Sequence, residues 1–460
     1  MKKIRYILVA LFALIALTES KAQTSQSSYF LDGAFYNYKL NPAMEAERGY
    51  FSLLLGNTSF GTKGNVGVST FLYPYEGDKL TTFMSGTVDA DEFLSKLDND
   101  ARMGLNYDMT LAAFGFRAFG GFLSCDLSFH SSSATIIPKG MFEFAKKGLQ
   151  ENSYSLSGLA INTMNYASFN LGYSREIING LRVGANLKYL AGLAHADLTV
   201  TKFDVEIGED KWLIQSQIDG QAAMCFDTSS EVDEDGNVTG FEVGSFTGPK
   251  SSGFGMDLGV EYDLDQFVPG LKLSASVVDM GFIKWKSMSK IQSSGKKVEF
   301  DGFEEIDYND MEASVSDELD QLGEDFMEMF EFKSSEKKSA KTSLNTTMHI
   351  GAQYSMPFYK PLSVGALYSQ RFSDFDCHRW IQARGYVNIA PTGWFSASVN
   401  YGYSTYGPCL GWMLNFHPVG VNFFIGSDYM VTKMTPQGIP LNDLNTHFTM
   451  GLSIAVGKKK

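Results

Sequence analysis

Residues 394–404 alternate strictly along the chain. Phe395, Ala397, Val399, Tyr401 and Tyr403 fall on one face of an extended strand, and Trp394, Ser396, Ser398, Asn400, Gly402 and Ser404 on the other. The same pattern returns at 348–356, 363–370, 419–429 and 448–457. In the last of these, Phe448, Met450, Leu452, Ile454 and Val456 alternate with Thr449, Gly451, Ser453, Ala455 and Gly457, and three lysines follow. One such segment is an ordinary surface strand. A succession of them, each near the ~9–11 residues of a tilted bilayer crossing, predicts a closed all-β transmembrane antiparallel barrel.

Strand segments are predicted near 50–59, 65–74, 104–117, 119–132, 153–162, 165–177, 181–191, 195–207, 211–225, 253–264 and 270–289. After a long insertion come 343–356, 360–371, 380–389, 393–404, 409–417, 419–431 and 446–457. That is eighteen segments, an even number, and merging of neighbours lowers the expectation to anything from fourteen upward. Short helical insertions are predicted at 89–101 and 138–148. Connections at 390–392 and 417–418 are short and 432–445 is long. Short turns belong to the periplasmic rim and long loops to the exterior. Counting back on that basis puts both termini and the two helical insertions in the periplasm, with 226–252 and 290–342 outside.

The N-terminus sets the address. Lys2, Lys3 and Arg5 precede an apolar run from Ile7 to Leu17, with Ser20 and Ala22 at the small-residue positions before Gln23. Residues 1–22 therefore read as a signal peptide. Residues 23–49 form an N-terminal periplasmic or plug-like segment, and 50–460 the barrel, with a long acidic helical insertion at 290–342. The 45 Gly, 22 Tyr and 36 Phe suit wall bends and interfacial aromatic girdles. Loss of Lys2, Lys3, Arg5 and Lys21 against Glu19 takes the net charge from −14 to −17. That excludes a general nucleic-acid footprint and leaves the bilayer and lipopolysaccharide as the surroundings.

Candidate sites lie mainly in the interruptions. Met311, Val315, Leu319, Leu322, Phe326 and Met329 draw one apolar helical stripe, a possible docking helix. Fourteen acidic residues and no basic one lie from Glu299 to Glu331. The stripe either covers its own barrel or meets another outer-membrane protein or lipoprotein. Glu231, Asp233, Asp235, Asn237 and Glu242, around Gly236, are spaced like a calcium loop. Asp-Gly and Gly-Asn are equally hairpin chemistry, and no other cofactor is implied. Cys377 and Cys409 fall in connections on the same expected rim, where a disulfide is permitted. Cys125 and Cys225 read as small apolar residues. The six histidines show no zinc-like spacing, and no nucleophile–base–acid arrangement stands out, so no enzyme is expected. Asn186, Lys188, Gln353 and Asn400 fall at lumen-lining positions.

The leader, the approach Leu40-Asn41-Pro42-Ala43 and the Gly-rich aromatic strands together resemble a Bacteroidota outer-membrane barrel. The chain is similar to the broad group holding the long-chain fatty-acid transporters and the PorV-like barrels, and looks closest to a DUF5723-like branch. The local motif of that resemblance is Asn41, Pro42 and Ala43. It implies fourteen strands and an N-terminal plug. The PorV-like members imply an accessory or docking subunit of an assembly or secretion complex, the reading placed first. The fatty-acid transporters imply passive transport of small apolar solutes, the alternative.

Overall fold

The computed structural model describes residues 25–54, 56–75, 79–147, 153–155, 157–207, 212–232, 238–292, 297–300, 338–430 and 445–457. The wall is a closed antiparallel barrel of 14 strands. They are β1 (Gly49–Leu53, resuming as Thr58–Gly64), β2 (Asp100–Ala118), β3 (Gly121–Pro138), β4 (Ala160–Ile178) and β5 (Leu181–Ile207). Next come β6 (Ser251–Asp263), β7 (Leu271–Gln292), β8 (Thr347–Ser355), β9 (Leu362–Arg371) and β10 (Trp380–Thr392). β11 (Phe395–Ser404), β12 (Gly407–Phe416), β13 (Val421–Ser427) and β14 (Thr446–Val456) complete the wall. Each strand pairs with its sequence neighbours, and β14 returns to β1.

The outward face is apolar and the inward face polar. On β11, Val399, Tyr401 and Tyr403 are 55%, 63% and 68% exposed, while Ser396, Ser398 and Asn400 are at most 1% exposed. β14 repeats this with Phe448, Leu452, Ile454 and Val456 outside and Thr449 and Ser453 inside. A soluble sheet would bury the first set, so the outside medium is hydrocarbon. One rim carries short turns, and exposed Phe119, Phe267, Phe358, Trp394 and Val419 sit at five of them. From Trp394 to Tyr403 the strand runs roughly 30 Å at ~3.3 Å per residue, which when tilted matches the ~25 Å apolar band of such barrels.

Four expected segments disappear into this count. Residues 65–74 leave the wall for a short helix, Val68–Phe71, and a hairpin of Leu72–Tyr75 with Lys79–Thr82. Segments 153–162 and 165–177 merge into β4, because the polar residues near Asn162 and Asn165 stay in the ladder with β3 and β5. Segments 181–191 and 195–207 merge into β5. A bulge at Leu193 switches the inward positions from Leu190 to His195, which mimics a strand break. Residues 212–224 pair with the far end of β5 beyond β6, above the closed wall.

Removing these segments also changes the sidedness count. The helices Ala90–Ser95 and Lys139–Lys147 stand on the rim of the long connections, with 226–232 and 238–250, and not opposite them as expected. Phe71, Phe83, Phe93 and Phe142 pack there as an aromatic cap. The wall is uneven as well. β2 to β5 run 18 to 27 residues, whereas β8 to β14 run 7 to 13. The tall arc therefore stands clear of the bilayer on the long-connection side.

The lipid assignment predicts a depth-dependent charge penalty. Val399→Lys, at mid-strand on the outer face, should destabilise by about 2–4 kcal/mol, and Val419→Lys in a rim turn by about 0–1 kcal/mol. Urea titration of heat-modifiable gel migration in detergent micelles would read the difference, and equal penalties would contradict the assignment.

Candidate functional site

The lumen is filled by residues 25–48. Their hydrogen bonds reach strands all round the wall: Ser25 Oγ donates to Asp428 (2.7 Å), Tyr38 to Asp126 (2.9 Å), Asn41 Nδ2 to the Val260 carbonyl (3.1 Å) and Gln353 to the Phe30 carbonyl (3.2 Å). Ser396 and Asn415 both donate to the Asp32 carbonyl, and Asn422 to that of Gly33. The segment makes only short 3-10 turns, Gln26–Ser28 and Asn37–Lys39. Its buried backbone groups need partners from elsewhere, and the inward Ser and Asn side chains of the wall supply several of them.

Asn41-Pro42-Ala43 has a specific seat. The Asn41 Oδ1 accepts from the Ala43 N–H (3.0 Å), which closes a turn, and Ser276 donates to the Leu40 carbonyl (2.7 Å). The turn lies on Gly184 of β5 and Gly259 of β6, which oppose one another in the ladder. A methyl on Gly184 would overlap the Pro42 carbonyl, and one on Gly259 would overlap the Asn41 amide oxygen. Two paired glycines thus make the hollow that receives the turn.

The four expected lining residues all point inward. Asn186 donates to Asp257 (3.0 Å). Lys188 bridges Asp257 (2.8 Å) and Asp279 (2.6 Å). Gln353 also donates to Ser363, and Asn400 accepts from Arg384 (2.6 Å) and donates to Ser27 (2.9 Å). Around them lie charged residues that the sequence reading passed over: Lys39 paired with Asp126 (3.1 Å), and Arg371, Arg384 and Asp428. Asp428 gathers Ser25 Oγ, Gln26 N, Ser27 N and Ser27 Oγ at 2.6–2.9 Å, which clamps the start of the segment. A charge at an inward parity position was the available signal for most of these. Asp279 carried none. It takes a left-handed conformation (φ 58°) at a bulge where the inward positions of β7 change from Val278 to Ile283.

The histidines are not all scattered. His130 bonds Asp108 through Nδ1 and Ser168 Oγ through Nε2 (2.8 Å), on three adjacent strands. Asp108 and His130 border a cavity of about 70 Å³, but Ser168 does not and is 1% exposed. Its hydroxyl also accepts from Asn170 (3.1 Å), so the chain works as a lumenal network without space for an acyl group in front of the oxygen.

The expected Cys377–Cys409 disulfide is not formed; both are buried free thiols. The 372–379 connection folds over the lumen, so Cys377 Sγ turns to the Thr135 carbonyl (3.7 Å) and the Tyr406 hydroxyl donates to the Cys377 carbonyl. Burial pushes the Cys377 thiol up to about 12. The calcium positions Asp233, Asp235 and Asn237 lie outside the described residues. So does the whole stripe from Met311 to Met329.

β1 breaks where it meets β14. Phe51 pairs with Ile454 and Thr58 with Met450, so six residues of β1 face three of β14. Inside this seam, the Tyr36 hydroxyl bonds Ser52 of β1 (2.7 Å) and Ser453 of β14 (3.0 Å). Behind Tyr36 lie Leu31, Phe35, Tyr38, Tyr50, Phe122, Met413 and Phe424. Outside it, Leu53, Leu54 and Ile454 are 54–64% exposed.

Residues 42–428 match a family described as "Family of unknown function (DUF5723)". No curated protein matches the sequence significantly. Among solved structures, the toluene transporter TbuX of Ralstonia pickettii aligns over 95% of this chain and 94% of its own, at 10% identity and a TM-score of 0.40. A FadL homologue of Pseudomonas aeruginosa aligns over 95% and 98%, at 9% identity and 0.42. The toluene transporter TodX of Pseudomonas putida aligns over 95% and 93%, at 8% identity and 0.39.

Two outcomes are expected at this site. Gly184→Val should overpack the turn by about 1–3 kcal/mol, and a cysteine placed by Ala43→Cys should then gain maleimide reactivity that it lacks with Gly184 intact. Cys377 and Cys409 should resist iodoacetamide in the native barrel and react after unfolding; rapid native alkylation would contradict the buried geometry.

Proposed function

The chain belongs to the DUF5723 family of unknown function, and from that premise we propose that it is a passive outer-membrane transporter of small apolar solutes, released sideways through the β1–β14 seam. The observation that carries this is the Tyr36 latch. One hydroxyl of the lumenal segment ties both edges of a broken wall joint. An aromatic cluster lies behind it and leucines face hydrocarbon in front. An apolar solute that reaches this cluster meets only the three hydroxyls of the latch before lipid.

The described cavities of the lumen are small, about 70, 20 and 10 Å³. This is the resting state on the proposed reading, and passage requires the 25–48 segment to shift. The short-turn rim faces the periplasm, and the tall arc, with its aromatic cap, faces outward. The docking-subunit reading has no support among the described residues, because its helix lies outside them.

Uptake of a fluorescent apolar solute into proteoliposomes tests the seam. Oxidised Ser52→Cys/Ser453→Cys should abolish uptake, and reductant should restore it. Tyr36→Phe removes two hydrogen bonds of about 0.5–1.5 kcal/mol each, which should raise the open fraction roughly tenfold. Deleting 25–48 should raise planar-bilayer conductance. Uptake that survives the oxidised cross-link unchanged would overturn the seam as the route.

A further inference from the structure

Three donor groups without acceptors meet on the long-connection side of the lumen. Lys63, near the end of β1, bonds no carboxylate among the described residues. Its ammonium lies over the Trp380 ring at 3.8 Å from the centroid and 5.6 Å from that of Tyr429. Trp380 opposes Arg371 directly in the β9–β10 ladder. The Trp380 Nε1 and the Arg371 Nε are both buried without a hydrogen-bond partner among the described residues. Arg371 is 8% exposed, and its Nη1 reaches only Asn106 Oδ1, at 3.4 Å.

The neighbouring carboxylates are engaged elsewhere. Asp428 is held by Ser25, Gln26 N and Ser27, Asp108 by His130, and Asp279 by Lys188. Asp374 and Asp376 of the 372–379 connection are exposed. Arg384, the third cation nearby, is satisfied by neutral oxygens of Asn400 and the Asp428 backbone. Asp108 and Asp279 balance the Arg371 charge at a distance without bonding it, and buried N–H groups are rarely left unpaired. Space for the missing partner exists. Arg371 lines the cavity of about 70 Å³ with Lys39, Lys188 and the carboxylates of Asp108, Asp126, Asp257 and Asp279, Lys63 lines a second one of about 20 Å³, and Asn106 borders both.

We propose that Lys63, Arg371 and Trp380 form a binding site for a small oxyanion, a carboxylate or a phosphoryl group. Arg371 supplies the planar fork suited to either, Lys63 a point charge, and the Trp380 indole a neutral donor. The Asp428 clamp on residues 25–27 borders the smaller cavity, so the anion sits beside the anchor of the lumenal segment. The site is independent of whether the seam opens.

The test uses the full chain in detergent, titrated with sodium acetate, sodium phosphate or sodium chloride at matched ionic strength. Tryptophan fluorescence and the temperature of heat-modifiable unfolding are followed together. Saturable quenching and a raised unfolding temperature with acetate or with phosphate, absent with chloride, are expected, and the stronger of the two names the class. Lys63→Gln and Arg371→Gln should each weaken the response about thirtyfold or more. Trp380→Phe should lose the fluorescence signal and keep part of the thermal shift. A wild-type chain that responds to acetate and phosphate no more than to chloride overturns the site, even if a variant fails to fold. So does a folded Lys63→Gln that binds like the wild type.

Discussion

No backbone N–H or C=O can face hydrocarbon unpaired, so a sheet that crosses a bilayer has to close on itself. In this chain the closure falls on its least regular strand. β1 joins β14 on one side and β2 on the other, yet it is continuous with neither. It keeps bonds to β2 through the break, from Leu54 N to the Leu111 carbonyl and from Thr110 N to the Asn57 carbonyl. On the β14 side three residues are left without ladder partners on β1. Part of the sealing passes from the ladder to the lumenal segment, through Tyr36. Wall and filling are therefore one cooperative structure at that joint.

The same division explains the inverted burial. Leu, Phe and Tyr occupy the outer face because lipid rewards them there. The inner face has to satisfy a segment with little regular hydrogen bonding of its own. Ser276, Gln353, Ser396, Asn415 and Asn422 each meet one of its carbonyls. Where the segment turns tightly at Asn41-Pro42-Ala43 the wall withdraws its side chains altogether, at Gly184 and Gly259. Some charges pair where cross-strand partners converge, as at Lys188 between Asp257 and Asp279. Polar networks of this kind are rigid when complete and costly when a member is lost.

The β8–β14 half was legible in the sequence because each strand there alternates along most of its length. Val399, Tyr401 and Asn400 lie on the faces their parity assigns. The N-terminal half misled the strand count at Leu193, where parity changes inside β5, while the parity change at Asp279 in β7 hid an inward charge without altering the count. A bulge keeps the hydrogen bonding and exchanges the faces, so one strand reads as two. Lys188, Asn186, Gln353 and Asn400 were legible as inward by the same parity. Arg371, Trp380 and Lys63 were not legible as a group, because they come from three strands whose juxtaposition exists only after closure. The Cys377–Cys409 pairing failed for a related reason. Loop position places two cysteines on one rim but does not say that the connection bearing Cys377 dips inward.

The contacts of the 25–48 segment also impose a schedule. Its first residues, Ser25 to Ser27, bond Asp428, 401 to 403 positions later. Tyr36 needs Ser453 on the last strand. The lumenal segment, made before any strand of the wall, therefore lacks part of its docking surface until the final hairpin arrives. During biogenesis it remains a passenger, open to chaperones and proteases, and its seating marks the end of assembly. Resistance of residues 25–48 to proteolysis is accordingly a clock for barrel completion rather than for strand insertion.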